Sequence, residues 1–199
     1  MRKFHEIAQD DEWLQLRMGF VTSSNFATIM ANYGKAFGNP AIQYAQRVAI
    51  EGVTKRSVEN YTNQWMERGI ELEEAARQMY SDMTFTDVAP GGFMEFGRFA
   101  SSSDGLAGEG MIEIKCPKYS THFERLVKGG ADSTYKWQMV GQMMCYDRPW
   151  VDFVSYCPDF PIDKQLYVQR LERDQEEEEK LIGRLNEFLT VVDDYIKYL

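Results

Sequence analysis

The sequence predicts an α/β fold within one domain that spans residues 1–199. Apolar residues recur at helical spacing in the N-terminal part and again near the C-terminus, whereas the middle contains short runs of Val, Ile, Phe and Thr separated by glycines. The length of 199 residues corresponds to little more than one average domain. Apolar residues make up 44% of the chain, so it can bury a core and is not intrinsically disordered.

Four helices are predicted before the strands: the first ends at Gly19, the second passes through Met30, the third starts at Pro40 and the fourth spans residues 61–80. The acidic residues 10–12 precede the first helix and stabilise its N-terminal dipole. The segment Thr22–Asn25 contains residue types that typically cap a helix, so it predicts the start of the second helix. Gly69 weakens the fourth helix by about 1 kcal/mol relative to alanine, which predicts that this glycine permits a close approach.

Strands alternate with helices in the remaining chain. The strands are expected at residues 84–88, 92–99, 111–116, 150–156 and 165–171, and the helices at about 119–128, 133–146 and 174–198. Apolar residues in the last helix, among them Leu181, Leu185 and Phe188, recur at spacings of three and four, so one face of this helix packs on the core. Its acidic first turn, Glu176–Glu179, suits the helix dipole and predicts a solvated surface.

Charge and cysteine content narrow the class of protein. The formal net charge is −9, but residues 171–199 hold nine acids and four bases, whereas residues 113–140 hold five bases and three acids. A basic face for nucleic acid can therefore lie opposite an acidic helix. No apolar run approaches the ~18 residues of a membrane span, the N-terminus lacks the apolar segment of a signal peptide, and three scattered cysteines indicate neither disulfides nor zinc. We expect a soluble cytoplasmic protein without a membrane partner.

The residues with the clearest chemical potential lie in and before the strand predicted at 111–116. Glu113 and Lys115 are two residues apart, so both side chains point to one face of the strand, whereas Ile112, Ile114 and Cys116 point to the core. Asp104 belongs to an Asp-Gly turn that ends the preceding strand. On spacing alone, an ordinary half-buried strand is the more common interpretation of Glu-x-Lys.

Together these residues can support metal-dependent phosphodiester chemistry. Two carboxylates from adjacent strands form a hard oxygen site for Mg²⁺, to which the backbone carbonyl of Ile114 would add a ligand. Lys115 could position or deprotonate a water and offset charge on the phosphorane. A pair of metal ions could hold both the attacking and the leaving oxygen. A third acid is expected from the fourth helix, where Glu71, Glu73 and Glu74 are candidates. At least one of these three is expected to be a solvent-exposed residue on the helix surface.

Four sequence blocks in the same order resemble the lambda-exonuclease type of phage recombination nuclease, the YqaJ-like viral recombinase family of the PD-(D/E)xK superfamily. They are Trp13 to Ser24, with Arg17, Gly19 and Thr22; Gly69-Ile-Glu-Leu-Glu73-Glu-Ala-Ala76; Ser102-Ser-Asp104-Gly105-Leu106 through Glu113-Ile-Lys115-Cys116-Pro117; and Tyr135-Lys-Trp-Gln138-Met-Val-Gly-Gln142. Each block is weak by itself, but their order and spacing together are specific.

The resemblance implies a PD-(D/E)xK restriction-endonuclease-like fold, with a mixed central β-sheet flanked by α-helices and the site at the edge of the sheet. It also implies site residues. Glu73, Asp104 and Glu113 match the metal-binding acids, Lys115 the catalytic lysine and Gln138 a glutamine on a later helix. The positions that hold the phosphate at a DNA 5′ end match the following residues: Arg17, Ser24 and Ser102. We expect Ser24 to hold the phosphate as a helix N-cap, and Arg17 as a forked donor.

The activity implied by the resemblance is a Mg²⁺-dependent 5′→3′ exonuclease that digests linear double-stranded DNA and leaves 3′ overhangs. Two metal ions are expected, and Mn²⁺ can substitute for Mg²⁺. The resemblance further implies a homotrimeric ring threaded by DNA, a single-strand annealing protein as partner, and a phage or prophage protein acting in a bacterial host. Neither the ring nor the annealing partner follows from composition or spacing.

The chain departs from the family pattern at three positions. Ser103 replaces the usual proline before the aspartate, which we expect to matter little. Thr121 and Gln64 stand where the lambda enzyme has an arginine and a lysine, and Lys118, Arg125 and Arg68 are the candidates to replace those phosphate contacts. Two other functions remain open at this point: a restriction-like DNA endonuclease with the same metal site, and a non-catalytic DNA-binding adaptor that retains the fold.

Overall fold

The computed structural model describes residues 1–7, 11–58, 64–130 and 133–199, with the side chains of residues 64–67 excepted. Within these ranges the helices are α1 Asp11–Leu16, α2 Phe26–Met30, α3 Asn39–Thr54, α4 Gln64–Thr84, α5 Tyr119–Lys128, α6 Lys136–Tyr146 and α7 Gln175–Ile196. The strands are β1 Arg2–His5, β2 Val21–Thr22, β3 Val88–Ala89, β4 Phe93–Phe96, β5 Phe99–Ser102, β6 Gly105–Ala107, β7 Gly110–Lys115, β8 Trp150–Tyr156 and β9 Leu166–Glu172.

The strands lie in two mixed sheets, and the predicted α/β fold is confirmed. One sheet has the order β1-β4-β5-β2, in which β2 runs parallel to β5 and the other pairs are antiparallel. The other has the order β3-β6-β7-β8-β9, in which only β7 and β8 pair in parallel. The sequence did not predict β1, β2 or β6, because these strands have at most four residues. In addition, β1 and β2 pair with strands that are distant in sequence.

The region predicted as strands 84–88 and 92–99 is more divided than expected. Helix α4 continues to Thr84, and Phe85 then adopts a positive φ of 54°, so the strand begins only at Val88. Gly97, with a φ of 65°, turns the chain between β4 and β5 and converts one predicted strand into a hairpin. A left-handed φ is readily adopted by glycine, which explains why the turn falls there.

Two hydrophobic clusters hold the elements together. The larger one contains residues of α2, α3, α6 and α7, including Leu181, Leu185 and Phe188 as the helical spacing predicts. The smaller one joins α4 to the second sheet through Ala76, Tyr80 and Ile112 among others. Among the helices of the described ranges, none combines the length and the apolar composition that a bilayer crossing requires.

Two local predictions about helices are wrong. Ser23–Asn25 form a 3-10 turn before α2, and neither Thr22 nor Asn25 makes a side-chain capping hydrogen bond, so Ser24 is not an N-cap. A Cβ added at Gly69 would meet no atom within 4 Å, so none of the segments that the structure describes approaches that glycine closely. Asp10 and residues 61–63, on which parts of the first and fourth helix predictions rest, lie outside the described residues.

Candidate active site

Strand β7 carries the predicted acid and lysine in the middle of the second sheet. Glu113 is 1% exposed, and Ile112 and Ile114 on the opposite face belong to the smaller hydrophobic cluster, as the alternation predicts. The expectation that the site lies at the edge of the sheet is wrong, since β7 is the third of five strands. The site instead lies toward the C-terminal end of β7, with β6 and β8 paired on either side.

Asp104 is brought to this strand by the turn between β5 and β6. Its Oδ2 accepts a hydrogen bond of 2.6 Å from the backbone N–H of Ile114, which fixes the carboxylate beside β7. Ser103 lies under the turn, where its Oγ is 2.9 Å from the carbonyl oxygen of Gly105 and its N–H donates to the Tyr146 hydroxyl at 3.2 Å. A proline has no N–H to donate. Ser103 therefore anchors this turn with hydrogen bonds that a proline could not make.

Glu113 is the centre of a hydrogen-bonded group that includes an unpredicted residue. Its Oε1 accepts from the Lys115 ammonium and, at 2.6 Å, from Gln138 Nε2, and its Oε2 accepts from Gln142 Nε2. Gln142 is fully buried and also donates to the carbonyl oxygen of Ser102 at 3.1 Å. Because residues four apart lie on one face of a helix, the spacing from Gln138 to Gln142 was the signal for this role.

Among the three candidate acids on α4, Glu73 is the one that faces the site. Glu71 and Glu74 are exposed, whereas Glu73 is partly buried and pairs with Arg77 at 2.6 Å. Arg77 also donates from Nε to the carbonyl oxygen of Asp104 at 3.1 Å, which links α4 to the β5–β6 turn. Burial raises the pKa of Glu73, and the charge of Glu113 adds to this rise although Arg77 opposes it.

The acids concentrate negative charge that the protein itself only partly compensates. Burial, followed by the charges of Glu113 and Glu73, raises the pKa of Asp104 well above its usual range. Burial alone would lower the pKa of Lys115, but the carboxylates of Glu113 and Asp104 raise it above its usual range. The carboxylates of Glu113 and Asp104 therefore stabilise the charged form of Lys115. Crowded carboxylates of this kind are stabilised by any further positive charge.

The donor chemistry of this site fits a divalent cation. Within the described part of the chain, no three metal-ligating side chains form a preformed cluster, and the Lys115 ammonium and the Arg77 guanidinium pair with Glu113 and Glu73. Nevertheless Glu113 lies near enough to raise the pKa of both Glu73 and Asp104, and carboxylate oxygens are the ligands that Mg²⁺ prefers. The part assigned to the Ile114 carbonyl stays a prediction.

The predicted phosphate-binding residues lie around a second group of polar side chains. Arg17 Nη2 is 3.5 Å from Thr22 Oγ1, which is 3.4 Å from Ser24 Oγ. The guanidinium of Arg17 also lies 4.3 Å from the centre of the Trp13 ring, and Trp13 Nε1 donates to Ser102 Oγ at 2.8 Å. We call Trp13, Arg17, Thr22, Ser24 and Ser102 the N-terminal polar cluster. Through Ser102, which also binds Gln142, this cluster adjoins the acidic site.

The basic residues expected to replace the missing family contacts are mostly committed elsewhere. Arg125 is 6% exposed, donates to Ser155 Oγ at 3.0 Å and lies 5.0 Å from the centre of the Phe153 ring, so it is a buried structural residue. Arg68 pairs with Asp159 at 3.1 Å. Lys118 is exposed at the start of α5, and the side chain of Gln64 lies outside the described residues.

A mixed α/β fold with an Asp, a Glu-x-Lys strand and a glutamine from the later helix α6 defines a protein of the PD-(D/E)xK nuclease class. Within that class the chain belongs to the YqaJ-like viral recombinase family, whose domain matches residues 12–149.

Solved structures agree with this family. The chain is 33% identical to an alkaline exonuclease, LHK-Exo, from Laribacter hongkongensis, with 95% of each chain covered and a TM-score of 0.86. LHK-Exo in complex with dAMP gives 35% identity, the same coverage of 95% of each chain and a TM-score of 0.85. A phage-related exonuclease from Haemophilus somnus 129PT is 17% identical over 89% of this chain and 93% of its own, with a TM-score of 0.70, which shows the fold alone. No curated protein matches the chain.

Proposed function

We propose that the protein is a Mg²⁺-dependent 5′→3′ exonuclease that digests linear double-stranded DNA and leaves 3′ single-stranded overhangs for phage-type recombination by strand annealing. The observation that carries this proposal is the group formed by buried Glu113 and half-buried Asp104 and Lys115. Glu73 lies beside this group, and the N-terminal polar cluster adjoins it. The similarity to a protein described as an alkaline exonuclease supports the same reaction class.

In this proposal, Asp104, Glu113, Glu73 and the carbonyl of Ile114 hold one or two Mg²⁺ ions, for which Mn²⁺ can substitute. When bound, the metal would stabilise the charge of the phosphoryl transition state and lower the pKa of a water. The carboxylates of Glu113 and Asp104 raise the pKa of Lys115, which keeps its ammonium group beside the proposed metal site. In this proposal Lys115 positions or deprotonates a water and offsets charge on the phosphorane. Gln138 holds the Glu113 carboxylate in place.

Polarity would come from the N-terminal polar cluster. Arg17 offers a forked donor, and Ser24 and Ser102 offer hydroxyl groups, which together suit a terminal phosphate dianion better than a hydroxyl. The related LHK-Exo was solved with dAMP, a nucleotide whose phosphate is on the 5′ position, which supports a phosphate site in this fold. Helix α2 has only five residues, so the proposal rests on these side chains and not on the helix dipole.

We further propose that the nuclease domain comprises residues 1–199 and assembles as a homotrimeric ring around DNA. A phage single-strand annealing protein would then bind the 3′ overhang that the nuclease produces. The protein would act in the cytoplasm of a bacterial host as a phage or prophage product. The acidic helix α7, which places Glu176–Glu178 in its first turn, would face away from DNA in such a ring.

The test is digestion of linear and of circular duplex DNA in Mg²⁺, with the label on either the 5′ or the 3′ strand end. The proposed exonuclease degrades only the linear form and releases the label at the 5′ end of the strand before the label at the 3′ end. An endonuclease would cut both forms, and an adaptor would cut neither. Lys115→Ala serves as the matched variant, since it should lose turnover but retain metal binding. Near-wild-type digestion by this variant would contradict the assigned site.

A further inference from the structure

Three polar side chains recur at every fourth residue along helix α6. They are Gln138, Gln142 and Tyr146. Residues four apart are neighbours on one side of a helix, so these side chains are directed toward the same strands. The first two hold the carboxylate of Glu113. Tyr146, the last residue of the helix, makes its contacts with the backbone near Asp104 instead, and no sequence motif indicated it.

The hydroxyl of Tyr146 lies among backbone groups from two segments. It accepts a hydrogen bond of 3.2 Å from the N–H of Ser103 and lies 3.2 Å from the carbonyl oxygen of Ser101. It also lies 2.9 Å and 3.1 Å from the carbonyl oxygens of Gly91 and Gly92. A phenolic hydroxyl has a single proton, so the three carbonyl oxygens share one donor. Tyr146 therefore ties the end of β5 to the segment that precedes β4.

The packing around this hydroxyl leaves it little freedom to move. Tyr146 is 7% exposed, and its ring packs edge-to-face on Phe4 of β1 at a centroid distance of 6.4 Å. A Cβ added at Gly91 would lie 1.7 Å from the carbonyl oxygen of Ser103, so the two backbone segments approach too closely to admit a side chain. Removal of the hydroxyl would leave the buried N–H of Ser103 without its acceptor, which is costly.

Asp104 directly follows the segment that Tyr146 holds. One anchor of Asp104 is its own carboxylate, which accepts the N–H of Ile114 at 2.6 Å. The other anchor is the preceding backbone, which is bound by Tyr146 and by the hydrogen bond of 3.1 Å from Gln142 Nε2 to the carbonyl oxygen of Ser102. Helix α6 therefore fixes the backbone that leads into Asp104.

The same helix thus reaches both acids of the β7 site. Gln138 and Gln142 hold Glu113 from one end of the stripe, and Tyr146 holds the approach to Asp104 from the other. Mg²⁺ requires its oxygen ligands at about 2.0–2.1 Å in near-octahedral geometry. Two carboxylates can meet that requirement together only if the distance between the segments that carry them is fixed.

We propose that Tyr146 is a positioning residue for metal binding, which holds the backbone before Asp104 so that this carboxylate and Glu113 bind one cation together. The inference rests on the proposed function, in which both acids bind Mg²⁺. Tyr146 touches neither the metal nor the DNA in this proposal and acts through the backbone of Ser101 and Ser103. A buried tyrosine without this role would contribute to stability but not to metal affinity.

The experiment compares Tyr146→Phe with Tyr80→Phe. Phenylalanine retains the ring and its packing, so each change removes only a buried hydroxyl. Tyr80 is the matched control because it is 1% exposed and its hydroxyl donates to Asp152 at 2.7 Å, not to the backbone before Asp104. Isothermal titration calorimetry gives the dissociation constant of Mg²⁺, urea unfolding gives the stability, and digestion of linear duplex is followed over a range of Mg²⁺ concentrations.

Both variants should unfold at a lower urea concentration than wild type, because each loses a buried hydrogen bond. Only Tyr146→Phe should weaken Mg²⁺ binding, by about 10-fold, the lower end of the effect of groups that orient metal ligands. A higher Mg²⁺ concentration should restore most of its digestion rate. If wild type binds no Mg²⁺, the proposed metal site and the role of Tyr146 are both overturned. If wild type binds Mg²⁺ and Tyr146→Phe binds it equally well, or Tyr80→Phe weakens binding to the same extent, only the role of Tyr146 is overturned.

Discussion

The contact between α6 and α2 gives a sharp prediction for Gly141→Ala. Gly141 lies between Gln138 and Gln142, the two residues that hold Glu113. A Cβ at Gly141 would overlap the ring of Phe26, and the Cβ of Ser23 lies 3.4 Å away. Phe26 is fully buried and packs edge-to-face on Phe99 at 6.4 Å, so its ring cannot swing aside.

The size of the effect follows from this overlap. Nonbonded carbon atoms require about 3.5–4.0 Å, so α6 and Phe26 must separate by on the order of 1 Å. Overpacking of this kind costs about 1–3 kcal/mol, and the better helix propensity of alanine offsets about 1 kcal/mol of that cost. The larger effect falls on the site, because Gln138 and Gln142 move with α6. A misplacement of about 1 Å can reduce the catalytic rate roughly 100-fold.

The assay combines urea unfolding with initial rates of linear-duplex digestion. Gly183→Ala on α7 is the control, since a Cβ there would meet no atom within 4 Å. It should stabilise the protein by about 0.5–1 kcal/mol and leave digestion unchanged. If Gly141→Ala digests DNA at the wild-type rate and unfolds at the same or a higher urea concentration, the argument that this contact positions Gln138 and Gln142 is refuted.

Three further predictions concern the site and the core. Asp104→Asn should abolish digestion yet raise the free energy of unfolding at neutral pH, because it removes one crowded negative charge. This gain in stability should shrink toward acid pH, because the raised pKa of Asp104 leaves the wild-type carboxyl protonated there. Urea unfolding at several pH values checks this. Gln142→Leu should weaken Mg²⁺ binding roughly 10- to 100-fold in isothermal titration calorimetry, and unchanged affinity would contradict a positioning role. Burial lowers the pKa of His122, so below about pH 6.5 the folded state binds fewer protons than the unfolded state, and the free energy of unfolding decreases as pH falls. His122→Asn should therefore lose less free energy of unfolding than wild type between about pH 7 and 5. Equal losses in the two proteins, measured by urea unfolding, would count against this.

Local spacing in the chain was enough to predict much of the site. The alternation of a strand places Glu113 and Lys115 on one face whatever surrounds them, and the motif from Asp104 onward indicated the family. The same holds for helix α7, whose apolar residues at spacings of three and four are buried as predicted. These features depend on residues close in sequence, for which backbone geometry alone fixes the relative directions of side chains.

Contacts between distant segments were decided by the tertiary structure. The hydrogen bond from Trp13 to Ser102 spans 89 residues, and that from Gln142 to the Ser102 carbonyl spans 40, so no local pattern reports them. Ser24 does not cap a helix as the sequence predicted. The five-residue helix α2 has no side-chain capping hydrogen bond, and burial of Phe26 stabilises it instead.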